Sequence, residues 1–293
     1  MRMSMSLLIA IGALSMCSQV LAQAPQAPQN PPATLFRGGP AVDGWTGRSI
    51  PTDPPKETSA PAPKRDLTGT WNPALGASAG IQAFGAISMP DDGRPEHELP
   101  FTKEGRDSYL AHHPGFGTRM VPPQQIDDPV NSCDPQGMPR QDLYEMRSTQ
   151  ILQTPNKVVL LYEYNKIWRV IWTDGRELPK NPEPQWYGYS VGKWIDDDTF
   201  VAETYGVDGR TWVDNAGRSH SDQMRMEERF HRVDRDRLEL SVTLTDPLFY
   251  TKPWVAMDKY LMSRAPDDFH VREMVCSPSE YQMYLKTFAP DAQ

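Results

Sequence analysis

The sequence is short of cysteine, of histidine, of clustered basic residues and of long apolar runs, and each shortage removes a class of function. Three cysteines occur in 293 residues and none forms a Cys-x-x-Cys pair, which excludes a dithiol redox centre. The six histidines stand scattered at 97, 112, 113, 220, 231 and 270, with no HxH, no HExxH and no Cys/His cluster, so no transition-metal site is expected. No glycine-rich loop of the Walker or dinucleotide type is present, and no cofactor is expected. The chain holds 30 Lys and Arg against 38 Asp and Glu, a formal charge of −8. Without a basic run to neutralise phosphates, nucleic acid is excluded as a partner, and an anionic membrane surface is disfavoured for the same reason. No stretch approaches the ~20 apolar residues that an integral membrane helix needs.

What is present begins with an export signal. Arg2 precedes a short apolar run from Leu7 to Leu14, and Val20-Leu21-Ala22 forms a small-residue cleavage pattern, so residues 1–22 read as a signal peptide and the protein as periplasmic or secreted. Lipid attachment at Cys17 is the alternative, but Met16 stands where that signal needs a small residue. Cleavage takes Arg2 away and leaves a charge of about −9. Cys17 leaves with it, and the remaining Cys133 and Cys276 suggest one disulfide, closing a loop of 143 residues, with two free thiols as the alternative. Residues 23–65 are rich in Pro, Gln, Ala, Gly and Ser and read as a disordered tether, leaving 66–293 as a single domain. The oligomeric state is left open.

That domain is expected to be all-β, an antiparallel meander closed into a barrel with two helices. A short helix is expected near 103–112, with Thr102 as N-cap and His112-His113-Pro114-Gly115 as its stop. A long Pro- and Gly-punctuated segment follows to about Gln141. Strands are expected at Ser148–Gln153, Val158–Tyr164, Ile167–Thr173, Trp186–Val191, Thr199–Tyr205, Gln223–Val233, Leu238–Thr245, Pro253–Ser263 and Phe269–Cys276. Short polar links such as Asp196-Asp197-Asp198 join several of them. Ser277-Pro278-Ser279-Glu280 caps a C-terminal helix to about Lys286. Closure of so many strands into a barrel removes exposed edges.

Alternation sets the register. Pairing Arg232 with Leu238 puts Met224, Met226, Glu228 and Phe230 on one face with Leu238, Leu240, Val242 and Leu244; a shift by one residue scrambles both faces. Glu228 is then the single charge on an apolar face. With Asn165-Lys166 as a turn, Glu163 stands opposite Trp168 and Tyr162 opposite Arg169, which places Glu163 or Arg169 inside. Glu203 shares a face with Val201 and Tyr205. An unpaired buried carboxylate costs several kcal/mol, so Glu228, Glu163 and Glu203 need a cation, donors, a raised pKa or a ligand. Pairing with Arg169, Arg225 or Arg229 is the structural account, and a site built from these groups is the functional one.

Gly188-Tyr189-Ser190-Val191-Gly192 matches the GxSxG nucleophile elbow, with His220 as the base it would use, but that elbow needs a following helix and here a turn and another strand follow. His220 also lies near Asp214, Asn215, Ser219 and Asp222, where a weak cation site is the alternative to a plain polar loop. Aromatic residues are the more informative excess. Trp168, Trp172, Trp186, Tyr187, Tyr189, Trp194, Trp212, Tyr250 and Trp254 crowd one stretch; core packing accounts for most, and barrel mouths commonly hold small ligands. Trp168, Trp186, Tyr189, Trp212, His220, Tyr250 and Trp254 are the candidate ligand contacts.

Gly69-Thr70-Trp71 resembles the GxW signature that opens the first strand of lipocalin-like barrels. The resemblance implies that Trp71 packs across one closed end beneath an arginine from the last strands, Arg264 or Arg272. Thr173-Asp174-Gly175-Arg176-Glu177-Leu178-Pro179, Trp186 to Gly192, and Asp246-Pro247 followed by Tyr250-Thr251-Lys252-Pro253-Trp254 resemble a family of exported bacterial proteins without an established function. The leading expectation is a lipocalin-like protein holding a small aromatic or apolar molecule in a Trp/Tyr-lined pocket. The alternative is a cofactor-independent lyase, isomerase or hydratase with Glu228 or Glu203 as general acid or base and Arg169 and Tyr162 stabilising negative charge. A structural module of the envelope is the third.

Overall fold

The computed structural model describes residues 40–51, 58–73, 85–143 and 147–288. The expected signal peptide and residues 23–39 and 52–57 of the expected tether lie outside the described residues. Those parts of the tether that are described are bonded to the domain. Strands β1 (Ala41–Val42) and β2 (Ser49–Ile50) form a small hairpin that packs on Ala265 and Phe269, and Asp43 accepts from the His270 backbone N–H at 2.6 Å. Ser59 donates to Asp234 at 2.8 Å, and Lys64 to Asp197 at 2.7 Å.

Nine further strands follow one another around a closed barrel: β3 (Gly69–Pro73), β4 (Thr149–Thr154), β5 (Lys157–Tyr162), β6 (Trp168–Trp172), β7 (Tyr189–Trp194), β8 (Thr199–Tyr205), β9 (Arg225–Asp234), β10 (Arg237–Thr245) and β11 (Trp254–Arg264), which returns to β3. The β-branched and aromatic alternation that favours strands supplies one inward row per strand. On β9 and β10 the observed pairs are Leu238–Arg232, Leu240–Phe230, Val242–Glu228 and Leu244–Met226, the register that burial selects. Polar turns join the strands as expected: Asp196 accepts from the backbone N–H of Asp198 at 2.8 Å, tightening the β7–β8 link.

Three expectations need correction. The barrel is mixed rather than wholly antiparallel, because β6 and β7 run parallel and are joined by the crossover 173–188. Parallel neighbours require such a long connection, and here it contains the Gly188 turn that delays β7 until Tyr189. The β5–β6 hairpin pairs Leu161 with Trp168 and Leu160 with Arg169, two residues from the expected register. Asn165 and Lys166 do adopt positive φ, 57° and 51°, but the Asn165 N–H donates to the Met274 carbonyl at 2.6 Å, and the turn widens to include Glu163 and Tyr164. A slip of two residues keeps every side chain on its face. Phe269–Cys276 is not a strand; it crosses this turn through one bridge, Tyr164 to Met274.

Helix α1 (Lys103–Ala111) is capped by Thr102, whose hydroxyl accepts from the Gly105 N–H at 3.0 Å. Helix α3 (Pro278–Phe288) starts after Ser277 as expected. Between them α2 (Arg140–Leu143) is a single helical turn that the sequence did not announce, and all four of its residues are buried. At one end of the barrel Trp71 is fully buried, its indole N–H donating to Leu67 O at 3.0 Å. The arginine over its ring is Arg232, at 4.7 Å, not Arg264 or Arg272; Arg264 pairs with Asp267 and Arg272 with Glu163.

The opposite end is closed by irregular chain held by four buried aspartates. Asp91 accepts from the Tyr109 and Thr118 hydroxyls, and Asp128 from Arg140 and the Val130 N–H. Asp214 accepts from the Ala86 and Ala216 N–H groups and from Arg218, and Asp246 from Ser221. Backbone groups buried outside regular structure need such partners. Among the described residues no helix is long and apolar enough to cross a membrane.

The Cys133–Cys276 disulfide forms, with a Cα–Cα distance of 5.5 Å, and joins this end to the chain that crosses the β5–β6 turn. Reduction, or the Cys133→Ser/Cys276→Ser pair, should lower unfolding free energy by about 2–5 kcal/mol for so long a loop. Urea unfolding monitored by tryptophan fluorescence checks this, and an unchanged midpoint would mean that the bridge constrains nothing.

Candidate functional site

The strand register and α2 converge six polar side chains inside the barrel. Arg169 of β6 points inward and donates to both carboxylate oxygens of Glu228 on β9, at 2.9 and 2.5 Å. It also donates to Ser190 Oγ of β7 at 3.1 Å and to Thr204 Oγ1 of β8 at 2.6 Å, and these two hydroxyls bond each other at 2.9 Å. Glu228 and Thr204 are fully buried and Arg169 nearly so. A buried charge is tolerable only when paired and bonded, and removing one member of such a pair costs about 3–5 kcal/mol.

Asp142 of α2 and Tyr162 of β5 complete the group. Burial pushes the Asp142 carboxyl well above the usual carboxylate range, and the Glu228 charge beside it pushes in the same direction. Both effects favour the protonated form of Asp142. Burial, and then Asp142, raises the Tyr162 hydroxyl. For Arg169, burial works against the charge and Glu228 overrides it, so the guanidinium stays ionised. Neither Asp142 Oδ2 nor the Tyr162 hydroxyl completes a hydrogen bond of ordinary geometry among the described residues. The cluster thus gathers one guanidinium, two carboxyl groups, two hydroxyls and one phenol. Asp142 was missed in the sequence because the segment before it has no period; its only signal was an acid next to a buried-looking leucine.

The other candidate residues lie elsewhere. Glu163 is buried but accepts from Arg272 at 2.9 and 2.8 Å, clamping the C-terminal segment over the β5–β6 turn. Glu203 has the expected face-mates, yet that face is the outer one and the side chain is exposed. Ser190 is bonded to Arg169 and Thr204, whereas His220 lies between Thr211 and the Ser221 carbonyl, so the two do not form a nucleophile and base. Burial lowers the His220 pKa. Asp214 serves the irregular end, and among the described residues no three His, Cys, Asp or Glu side chains converge to hold a metal ion.

The aromatic candidates separate into two sets. Trp212, Tyr250 and Trp254 are buried in the irregular end. Trp212 stacks on His112 at 4.6 Å, and Tyr250 donates to Ser219 O at 2.7 Å and packs against Trp254. Trp168, Trp186 and Tyr189 instead lie on the outer flank around the crossover, and Trp168 is 66% exposed. Three clefts open there. One of about 430 Å³ runs from Trp172 and Arg176 to Glu203 and Arg225. A second of about 470 Å³ lies between Trp172 and Tyr189, and a third of about 470 Å³ between Trp168 and Trp186. Trp172, absent from the candidate contacts, borders two of them, with Arg176 3.6 Å over its ring. The barrel interior, by contrast, is packed with side chains such as Trp71, Leu160, Phe200, Met226 and Leu240.

The chain matches no known family model, no curated protein and no solved structure.

Because Asp142 has a higher pKa folded than unfolded, it takes up a proton on folding. Its contribution is complete below about pH 4, the ordinary carboxylate value, and is lost as pH rises through the raised one. Asp142→Asn mimics the neutral form and should remove that loss, so the difference in melting temperature between variant and parent should grow in the variant's favour as pH increases. A difference that does not change with pH would contradict a protonated Asp142.

Proposed function

We propose that the protein is an exported binding protein for a small, partly aromatic or apolar molecule, and that the ligand sits on the outer flank of the barrel, not in its interior. One observation carries this reading: among the described residues a packed apolar cluster occupies the interior, while Trp172, Trp186, Tyr187 and Tyr189 gather around open clefts of about 430–470 Å³ beside the crossover. Pockets of about 300–1,000 Å³ with aromatic walls and a few polar groups suit small ligands. The disulfide and the signal-like N-terminus support export.

1-Naphthol, followed by its own fluorescence, tests this. Trp172→Ala and Tyr189→Ala should each weaken its binding about fivefold to tenfold, as loss of an aromatic contact does. Trp254→Phe, in the buried set, should leave it unchanged. Equal affinity in all three variants and the parent overturns the reading.

A further inference from the structure

Helix α1 and the chain beside it border a cleft of about 390 Å³ at the irregular end, which shares no residue with the three outer clefts. Leu99, Phe101 and Tyr109 form its apolar wall, the two rings stacked 5.3 Å apart. Arg94, Arg106, Arg119 and Arg218 border it against two carboxylates, Asp91 and Glu98, in a chain whose formal charge is −8. Asp91 already accepts from the Tyr109 and Thr118 hydroxyls, at 3.0 Å each, and Glu98 from Arg106.

Arg218 is the informative group. Its side chain is 3% exposed, and its Nη1 donates to the Met89 carbonyl and, at 3.2 Å, to Asp214. Nε and Nη2 have no acceptor among the described residues and are not closed off from solvent, so this edge of the guanidinium faces the cleft that Arg218 borders. A charged donor in so buried a place needs an acceptor. Elsewhere in the protein the Nε–Nη2 edge is where arginines hold carboxylates. Arg176 meets Asp174 with it at 2.9 and 2.6 Å, Arg210 meets Asp208 at 3.0 and 2.6 Å, and Arg272 meets Glu163 at 2.9 and 2.8 Å. On Arg218 no protein carboxylate takes that edge among the described residues. Arg119 adds a second charge: it lies 4.5 Å over the Tyr109 ring, anchored to the carbonyls of Tyr109, Leu110 and His112 at the end of α1, and it pairs with no carboxylate among the described residues. Both guanidiniums are thus held in place by backbone carbonyls, which lowers the ordering cost of binding.

We propose that this cleft is a second binding site, for a small organic carboxylate whose two oxygens accept side by side from Arg218 Nε and Nη2 and whose apolar part lies against Leu99 and Phe101. Two parallel charge-assisted bonds match the geometry of a carboxylate, and the Arg119 charge favours the same anion. The volume falls within the range of small-ligand sites.

Calorimetric titration of the full mature protein compares benzoate with benzamide, which has the same shape but no charge and a single acceptor. Benzoate should bind about tenfold tighter, since charge-assisted paired bonds exceed neutral ones. Arg218→Lys keeps the charge and removes the two-point edge, and should weaken benzoate about tenfold while benzamide changes less. If that variant does not fold, Arg119→Gln takes its place, with benzoate weakened about threefold by the lost charge and 1-naphthol binding unchanged. Absence of benzoate binding, equal affinity for benzoate and benzamide, or inorganic phosphate bound more tightly than benzoate overturns the proposal. So does benzoate affinity that survives the arginine variant or is lost in Trp172→Ala, since the acid then sits on the outer flank.

Discussion

The Arg169 guanidinium ties together parts of the barrel that backbone pairing leaves weakly joined. Most neighbouring strands share ladders of five to nine pairs, but β6 and β7 share only Ile171–Ser190 and Trp172–Val191. Arg169 stands on β6 and bonds Ser190 on β7, Thr204 on β8 and Glu228 on β9, so one side chain spans the weak seam and the two strands beyond it. Its charge makes this a demanding arrangement. The Glu228 carboxylate faces it at 2.9 and 2.5 Å, and burial together with Glu228 holds the neighbouring Asp142 carboxyl well above the usual carboxylate range.

Asp142 also links the brace to the irregular end. It stands on α2, a helical turn with no exposed residue, and its neighbour Arg140 is bound by Asp128. From there the buried aspartates at 91, 128, 214 and 246 hold loops that have no ladder of their own. That end therefore depends on these buried polar bonds as well as on the apolar area of Leu99, Met138, Val213, Tyr250 and Trp254. The disulfide acts at the rim of the same region, where the chain would otherwise rely on single bridges.

How much of this was legible follows from where the sequence has a period. On β9 and β10 ten alternating residues face nine, so one register satisfies burial, and Glu228 emerged as an inward charge from parity alone. On β6 parity left Glu163 or Arg169 as the inward residue, and the faces survived a misplaced turn because a slip of two preserves them. Parity cannot say which of two mixed faces is the inside. On β8, Phe200, Ala202 and Thr204 went inward, leaving Val201 and Glu203 outside, and Thr204 was not singled out because a hydroxyl fits either face. Asp142 and the aspartate knots lie in chain without periodicity, where spacing carries no geometric information. The strand expected at Phe269–Cys276 has strand-forming residues but its partner groups are taken up by a turn, a contact set by tertiary packing.

The two sets of aromatic residues follow from the one parallel pair. An antiparallel link between β6 and β7 would need only a tight turn; parallel pairing forces the chain back along the outside of the barrel, and residues 173–188 lie over the flank. Trp172, Trp186 and Tyr189 sit where this crossover leaves and rejoins the sheet, so their exposure is a product of topology and not of a defect in the core. The same return fixes where β7 can begin. Gly188 completes the turn on Gln185, and Gln185 is held from the other side by Gly206 and Asp208, so the crossover cannot slide one residue to complete the ladder. The short β6–β7 ladder and the placing of Trp186 and Tyr187 on the outer flank are thus imposed by one connection.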